Sequence, residues 1–290
     1  MGDHVRPHPA MKSRLLLSLV PFVAGCHARP ESLVPSSVGA TPRARSEHLR
    51  AEACSFVVLG EETSLVWPAM LQFLLDSHAK RPGLYRVLNG STAATGVSAW
   101  TDATDDGPLE LLSSSFLAPQ AARRGAAPVP RTALCLVSLR GVGDEDGPVE
   151  SENDMVGAER GADALERLAL ALHGLGIERI AFATPLFGAD TGASVGLEHV
   201  ALERLLARGH AFVEAGPDLY RATRRYFPDA YLSDGVHLNE FGLKLVAEEW
   251  YRWLAGPEAR ERVVEALYAE DFDVEEIEAA HAREVVPING

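Results

Sequence analysis

Between residues 55 and 254, short and nearly continuous apolar runs alternate with longer segments whose apolar residues recur at helical spacing. The first run is Ser55-Phe56-Val57-Val58-Leu59, stopped by Gly60, and others fall at 84–88, 132–139, 180–184 and 211–214. Helical stripes lie between and after them: Met70, Leu71, Phe73, Leu74 and Leu75 within 68–76, then Leu165, Leu168, Ala169 and Leu172 within 161–175, then 197–207 and 239–254. A strand that is apolar on both faces has to be covered on both, and parallel neighbours need crossover connections, usually helical. The pattern therefore predicts an α/β chain. Five parallel strands form the middle layer of a three-layer α/β/α sandwich, with functional loops at the carboxyl ends of the strands.

Two segments interrupt the rhythm. Residues 98–131 contain Pro108, Pro119, Pro128 and Pro130 and are expected to hold at most one short helix. Residues 144–159 are an acidic loop with Asp144, Glu145, Asp146, Glu150, Glu152 and Asp154. The regular carboxylate spacing of a calcium loop is missing, so a solvated loop is expected. His78, His173, His199 and His210 lack metal-ligand spacing and read as surface or packed residues. No metal or other cofactor is expected. From residue 256 onward ten acidic residues face three arginines, with Val263, Val264 and Leu267 apolar, which reads as an appended helical arm packed on the domain 51–255.

At the other end, Lys12 and Arg14 precede the apolar run Leu15 to Phe22, too short to span a bilayer, and then Val23-Ala24-Gly25-Cys26. Residues 1–26 thus read as a secretory signal, with Met11 as a plausible start. Val-Ala-Gly-Cys resembles the lipobox of bacterial lipoproteins, which implies lipidation at Cys26 and a membrane anchor. His27 stands where Asp would suggest inner-membrane retention, so the outer membrane of the cell envelope is expected. Residues 27–50 read as a tether. A formal charge of -14 argues against nucleic acid as a partner. Cys54 and Cys135 lie in or beside apolar strands and are expected to be unpaired.

The chemistry concentrates in Asp234-Gly235-Val236-His237-Leu238-Asn239-Glu240-Phe241-Gly242. An Asp three residues before a His can fix the imidazole tautomer and stabilise the imidazolium that forms when the ring takes a proton. Followed by Asn239, Gly242 and an amphipathic helix, this stretch resembles the last block of the SGNH (GDSL-type) hydrolases, a likeness that covers roughly 55–254. The resemblance implies a flavodoxin-like fold and hydrolysis of esters, with His237 and Asp234 as the base and its partner. A small molecule or a polysaccharide would carry the ester. It also implies a serine in the turn after the first strand, but Glu62 occupies that position. Thr63 and Ser64 follow as hydroxyls that a shifted turn could present, with Ser64 the stronger candidate. Gly90 fits the second block as a backbone oxyanion donor, and Gly143 stands where the third block has Asn. These departures leave three readings open: an ester hydrolase with an unusual nucleophile, a non-catalytic relative that binds an envelope glycan, lipid or protein, and a chain in which Glu62 is a carboxylate base for a different reaction, such as activating water on a glycoside.

Overall fold

The structure is a computed structural model. It describes residue 49 and residues 54–60, 66–79, 81–91, 96–101, 108–117, 129–137, 139, 155–186, 195–234 and 237–284. Strands β1 (Cys54–Gly60), β2 (Tyr85–Asn89), β3 (Thr132–Leu136), β4 (Arg179–Phe182) and β5 (Val213–Ala215) form a five-stranded sheet in the order β2-β1-β3-β4-β5. All four pairings are parallel, with Val58 beside Asn89 on one side and Leu134 on the other. This is the flavodoxin-like strand order, whose switch point lies between β1 and β3. The α/β sandwich expected from the apolar alternation is the observed fold.

The helices in chain order are α1 (Trp67–Ala79), α2 (Gly96–Thr101), α3 (Pro108–Leu111), α4 (Met155–Gly174), α5 (Val195–Ala207), α6 (Leu219–Thr223), α7 (Pro228–Tyr231), α8 (Glu240–Ala255), α9 (Glu261–Leu267) and α10 (Val274–Glu284). The period-2 geometry of the strands sorts the core into two clusters. Phe56, Val58, Val87, Leu134, Leu136 and Ala181 join the residues of α1, α8 and α9 on the first face. Val57, Leu59, Leu88, Ala133, Cys135, Ile180 and Phe182 join those of α2, α4 and α5 on the second.

On the first face Trp67 of α1 and Trp250 of α8 are both fully buried and stack at 6.0 Å with nearly parallel rings. On the second, Gly161 of α4 lets α5 and Leu139 approach closely. A Cβ there would stand 2.5 Å from Leu139 Cδ1 and 2.9 Å from Ala201 Cβ. The outward edge of β2 is covered by a side chain of α1. Gln72 donates from Nε2 to Tyr85 O at 2.8 Å and accepts from Val87 N at 2.8 Å. Those are two of the peptide groups that a sixth strand would otherwise pair with.

Several boundaries differ from the sequence reading. The segment 98–131 holds more helix than one short piece: α2, α3 and a π-helical stretch Leu112–Leu117, anchored by buried Val97, Trp100, Leu112 and Leu117. Pro108 opens α3, where a missing N–H costs nothing. The third strand ends at Leu136 and not 139, because Leu139 turns away to pack on Gly161. Helix α4 starts at Met155, not 161, since Ala158 and Ala162 extend its buried stripe by a turn. Cys54 and Cys135 are not joined by a disulfide. Leu59 lies opposite Cys135 in the β1–β3 ladder, which leaves Cys54 about 16 Å away along the strand. Burial raises the Cys135 thiol pKa well above its ordinary value.

Candidate functional site

The chain leaves β5 at Ala215 and passes through α6 and α7 before closing a small loop in front of α8. Two backbone hydrogen bonds close it and together make an antiparallel bridge between Leu232 and Leu238: Ser233 N donates to His237 O at 2.8 Å, and Asn239 N to Tyr231 O. Within the loop Asp234 holds His237 twice. Its Oδ1 accepts from the His237 backbone N at 2.7 Å, and its Oδ2 lies 2.6 Å from His237 Nδ1. Because a carboxylate only accepts, the proton is assigned to Nδ1 and Nε2 becomes the basic nitrogen. Both side chains are about half exposed, at 53% for Asp234 and 46% for His237. Solvent therefore screens the attraction, and the value of the contact lies in orientation.

The residues that follow explain why the motif has this composition. Asn239 is the N-cap of α8: its Oδ1 accepts from Gly242 N at 3.0 Å, while its Nδ2 donates to Ala230 O at 3.0 Å. Its own N–H donates to Tyr231 O at 3.0 Å, so one residue ties α7 to the first turn of α8. Gly242 sits where a Cβ would stand 2.2 Å from that same carbonyl oxygen of Tyr231. Only a residue without a side chain lets α8 approach α7 this closely.

The carboxyl edge of the sheet beside β4 and β5 is also fixed by side chains. Thr184, just past β4, accepts from Tyr220 N at 2.9 Å and donates to Asp218 Oδ1 at 3.3 Å. Asp218 in turn caps α6 by accepting from Arg221 N at 2.9 Å. Glu198, in the first turn of α5, is only 5% exposed and accepts from Leu139 N at 2.9 Å. It lines a small pocket with Val137, Leu139, Phe182, Pro185 and Leu202. The sequence reading passed over Glu198. Its sole local signal is a carboxylate in the first turn of a helix, where the dipole favours it.

The structure brings Asp234 and His237 together. Gly90 requires a correction: its N–H donates to Val58 O at 2.9 Å, continuing the β1–β2 ladder, and so is not available to an oxyanion. The absence of a side chain has another use here, since a Cβ would stand 3.0 Å from Val58 O and 3.2 Å from Leu112 Cδ1. The next amide, Ser91 N, is taken up by Asn89 Oδ1 at 3.0 Å. Glu62, Thr63, Ser64, Gly143 and Cys26 lie outside the described residues. Gly60 at the end of β1 and Val66 before α1 bracket the segment 61–65. Among the described residues, no group of three or more His, Cys, Asp and Glu side chains could hold a metal ion. No described helix is long and apolar enough to cross a membrane.

No protein-family model matches the sequence, and no curated protein matches it. Among solved structures the chain is similar to an alpha/beta hydrolase enzyme from the metagenome of Lake Arreo, Spain, with 14% identity and a TM-score of 0.49 over 71% of this chain and 96% of that one. It is also similar to an acetyl xylan esterase, with 12% identity and a TM-score of 0.43 over 70% of this chain and 99% of that one. A third, a gut microbial diltiazem-metabolizing enzyme, has 10% identity and a TM-score of 0.46 over 70% of this chain and 47% of that one. Likenesses of this size leave fold and activity to be read from the chain itself.

Proposed function

We propose that the chain is an ester hydrolase of SGNH type, acting on O-acyl or O-acetyl esters of a small molecule or a polysaccharide. The observation that carries this reading is the double grip of Asp234 on His237, through the backbone N–H and Nδ1, which fixes the ring with Nε2 as base. Ser64 is the proposed nucleophile, with Thr63 second. Its hydroxyl proton passes to His237 Nε2 as the oxygen adds to the ester carbonyl. The imidazolium then returns that proton to the departing alcohol, and a water molecule repeats the sequence on the acyl-enzyme. Asp234 stays ionised throughout and stabilises the imidazolium. Through lipidation at Cys26, the domain works in the bacterial cell envelope, at the outer membrane.

A second reading is favoured by the amide of Gly90, which is engaged in the sheet, and by Glu62 at the usual serine position. In it the domain binds an envelope glycan, lipid or protein without turnover, and Glu62 pairs with His237. Hydrolysis of short-chain aryl esters by the purified domain separates the two. For the hydrolase, His237→Ala and Ser64→Ala each lower the rate by about 10²–10⁴. A rate at background in the unaltered protein, or one indifferent to His237→Ala, sinks the enzymatic reading.

A further inference from the structure

The C-terminal segment lies against the helix whose first turn follows His237. Lys244, in the second turn of α8, is only 7% exposed. Its ammonium is 2.6 Å from Glu240 Oε1, 4.9 Å from the centroid of the Phe272 ring and 6.0 Å from that of Tyr268. One turn earlier, Phe241 meets Tyr226 edge-on at 5.1 Å and Tyr268 at 6.3 Å. Tyr268 is held in turn by its hydroxyl, which donates to Glu248 Oε2 at 2.8 Å, and Phe272 packs edge-on against Phe73 of α1 at 5.1 Å.

A cation near a helix N-terminus faces the positive end of the dipole, and burying it removes its hydration. Glu240 and two ring faces offset both costs, and the rings come from beyond α8. Phe241 likewise completes its apolar surroundings with Tyr268. The first two turns of α8 therefore reach their observed packing only when the segment 268–272 is in place. Those turns also carry Gly242, pressed against Tyr231 O, and follow Asn239, which is bonded to α7. A shift of the helix start is passed directly to the loop that sets Asp234 against His237.

We propose that the arm is a brace for the Asp234–His237 pair. Tyr268 and Phe272 are positioning residues that act through Phe241 and Lys244 and hold the imidazole at its working angle. The inference rests on the reading of that pair as the working group of the site. It assigns the arm to the site and not to a separate partner.

Proton NMR of the full chain tests this without any substrate. The Nδ1 proton of His237, identified by its loss in His237→Ala, gives a low-field resonance when bonded to a carboxylate. In Tyr268→Leu/Phe272→Leu, at a temperature well below its unfolding midpoint, that proton should exchange with water about tenfold faster. Arg208→Ala, a surface change on the opposite face, should leave it unaltered. Lys244→Met should speed the exchange and Lys244→Arg should restore it. If the double variant does not fold, Phe272→Leu alone carries the same expectation. A low-field resonance unchanged in Phe272→Leu and Lys244→Met, with only the melting temperature lowered, overturns the brace. Absence of the resonance in the unaltered protein overturns the Asp–His geometry itself, and the brace with it. An intact resonance without ester turnover sinks the hydrolase reading alone.

Discussion

On one face of the sheet the helices meet through rings, and on the other through small side chains and ions. The first face stacks Trp67 on Trp250, sets Trp253 edge-on at 5.6 Å and seats His78 against Tyr251 at 5.8 Å. The indole N–H groups of Trp67 and Trp250 have no hydrogen-bond partner among the described residues, so burial and stacking outweigh two forgone bonds there. The second face brings α4 and α5 together over Ala158, Ala162, Ala169, Ala201 and Gly161. It closes its rim with Arg204, Arg208 and His210 against Glu159, Asp163 and Glu166. Rings and hydroxyls fix angles, whereas small residues fix separations. The candidate site grows from the face where angles are fixed.

The comparison breaks first if the ring face is not the costlier one to disturb. Trp250→Ala should lower stability by about 3–5 kcal/mol in urea unfolding, through the cavity it leaves beneath α1. Next come the two glycines. Gly242→Ala puts a methyl against a backbone oxygen that has no room to move and should cost about 3 kcal/mol or more. Gly161→Ala meets the flexible end of Leu139 and, at 2.9 Å, the Ala201 Cβ, so α5 must give slightly and the change should cost about 1–3 kcal/mol. Equal losses from the two would show that α7 yields as easily as Leu139 and α5 together.

Acid should separate the faces in the same order. Burial, and then the Arg260 charge, hold the His78 pKa below its ordinary 6.5. The unfolded chain takes that proton first, so the His78 contribution is complete above pH 6.5 and is lost as pH falls toward the lower folded value. On the other face, the hydrogen bond from His210 is the largest influence that lowers the Glu166 pKa, and that from Arg208 lowers the Glu159 pKa most. Their contributions persist above the ordinary 4.5 and disappear only as pH falls below it. Urea midpoints measured against pH should therefore decline in two stages, with His78→Gln removing the first. The smallest effect expected is that of Arg208→Ala. Two of its three carboxylate partners are about half exposed, so the loss should stay near 1 kcal/mol and shrink in added salt.

What could be read from the sequence follows the reach of each interaction. The strands were legible because both of their faces are apolar, and Asp234 with His237 because they stand only three positions apart. Gly242 was visible as part of a pattern, but its reason is a carbonyl of α7, a helix too short to leave a periodic signal. Glu198 was missed because the amide it serves, Leu139 N, is 59 residues away. Gly90 looked like a donor after a strand, and only the β1–β2 register shows that its N–H is already used. Lys244 carries the largest surprise. A lysine on an amphipathic helix reads as solvated, and its burial depends on rings contributed by the arm.

The Gln72 amide has a consequence for how copies of this protein meet. It presents the same donor and acceptor as a passing peptide unit, so the sheet ends against an imitation of itself. A strand arriving from another molecule would first have to displace a neutral group already making two good bonds. One side chain thus keeps two peptide groups of that border from a second strand. Gln72→Glu would keep the acceptor for Val87 and set a negative charge against the Tyr85 carbonyl, leaving the border half open.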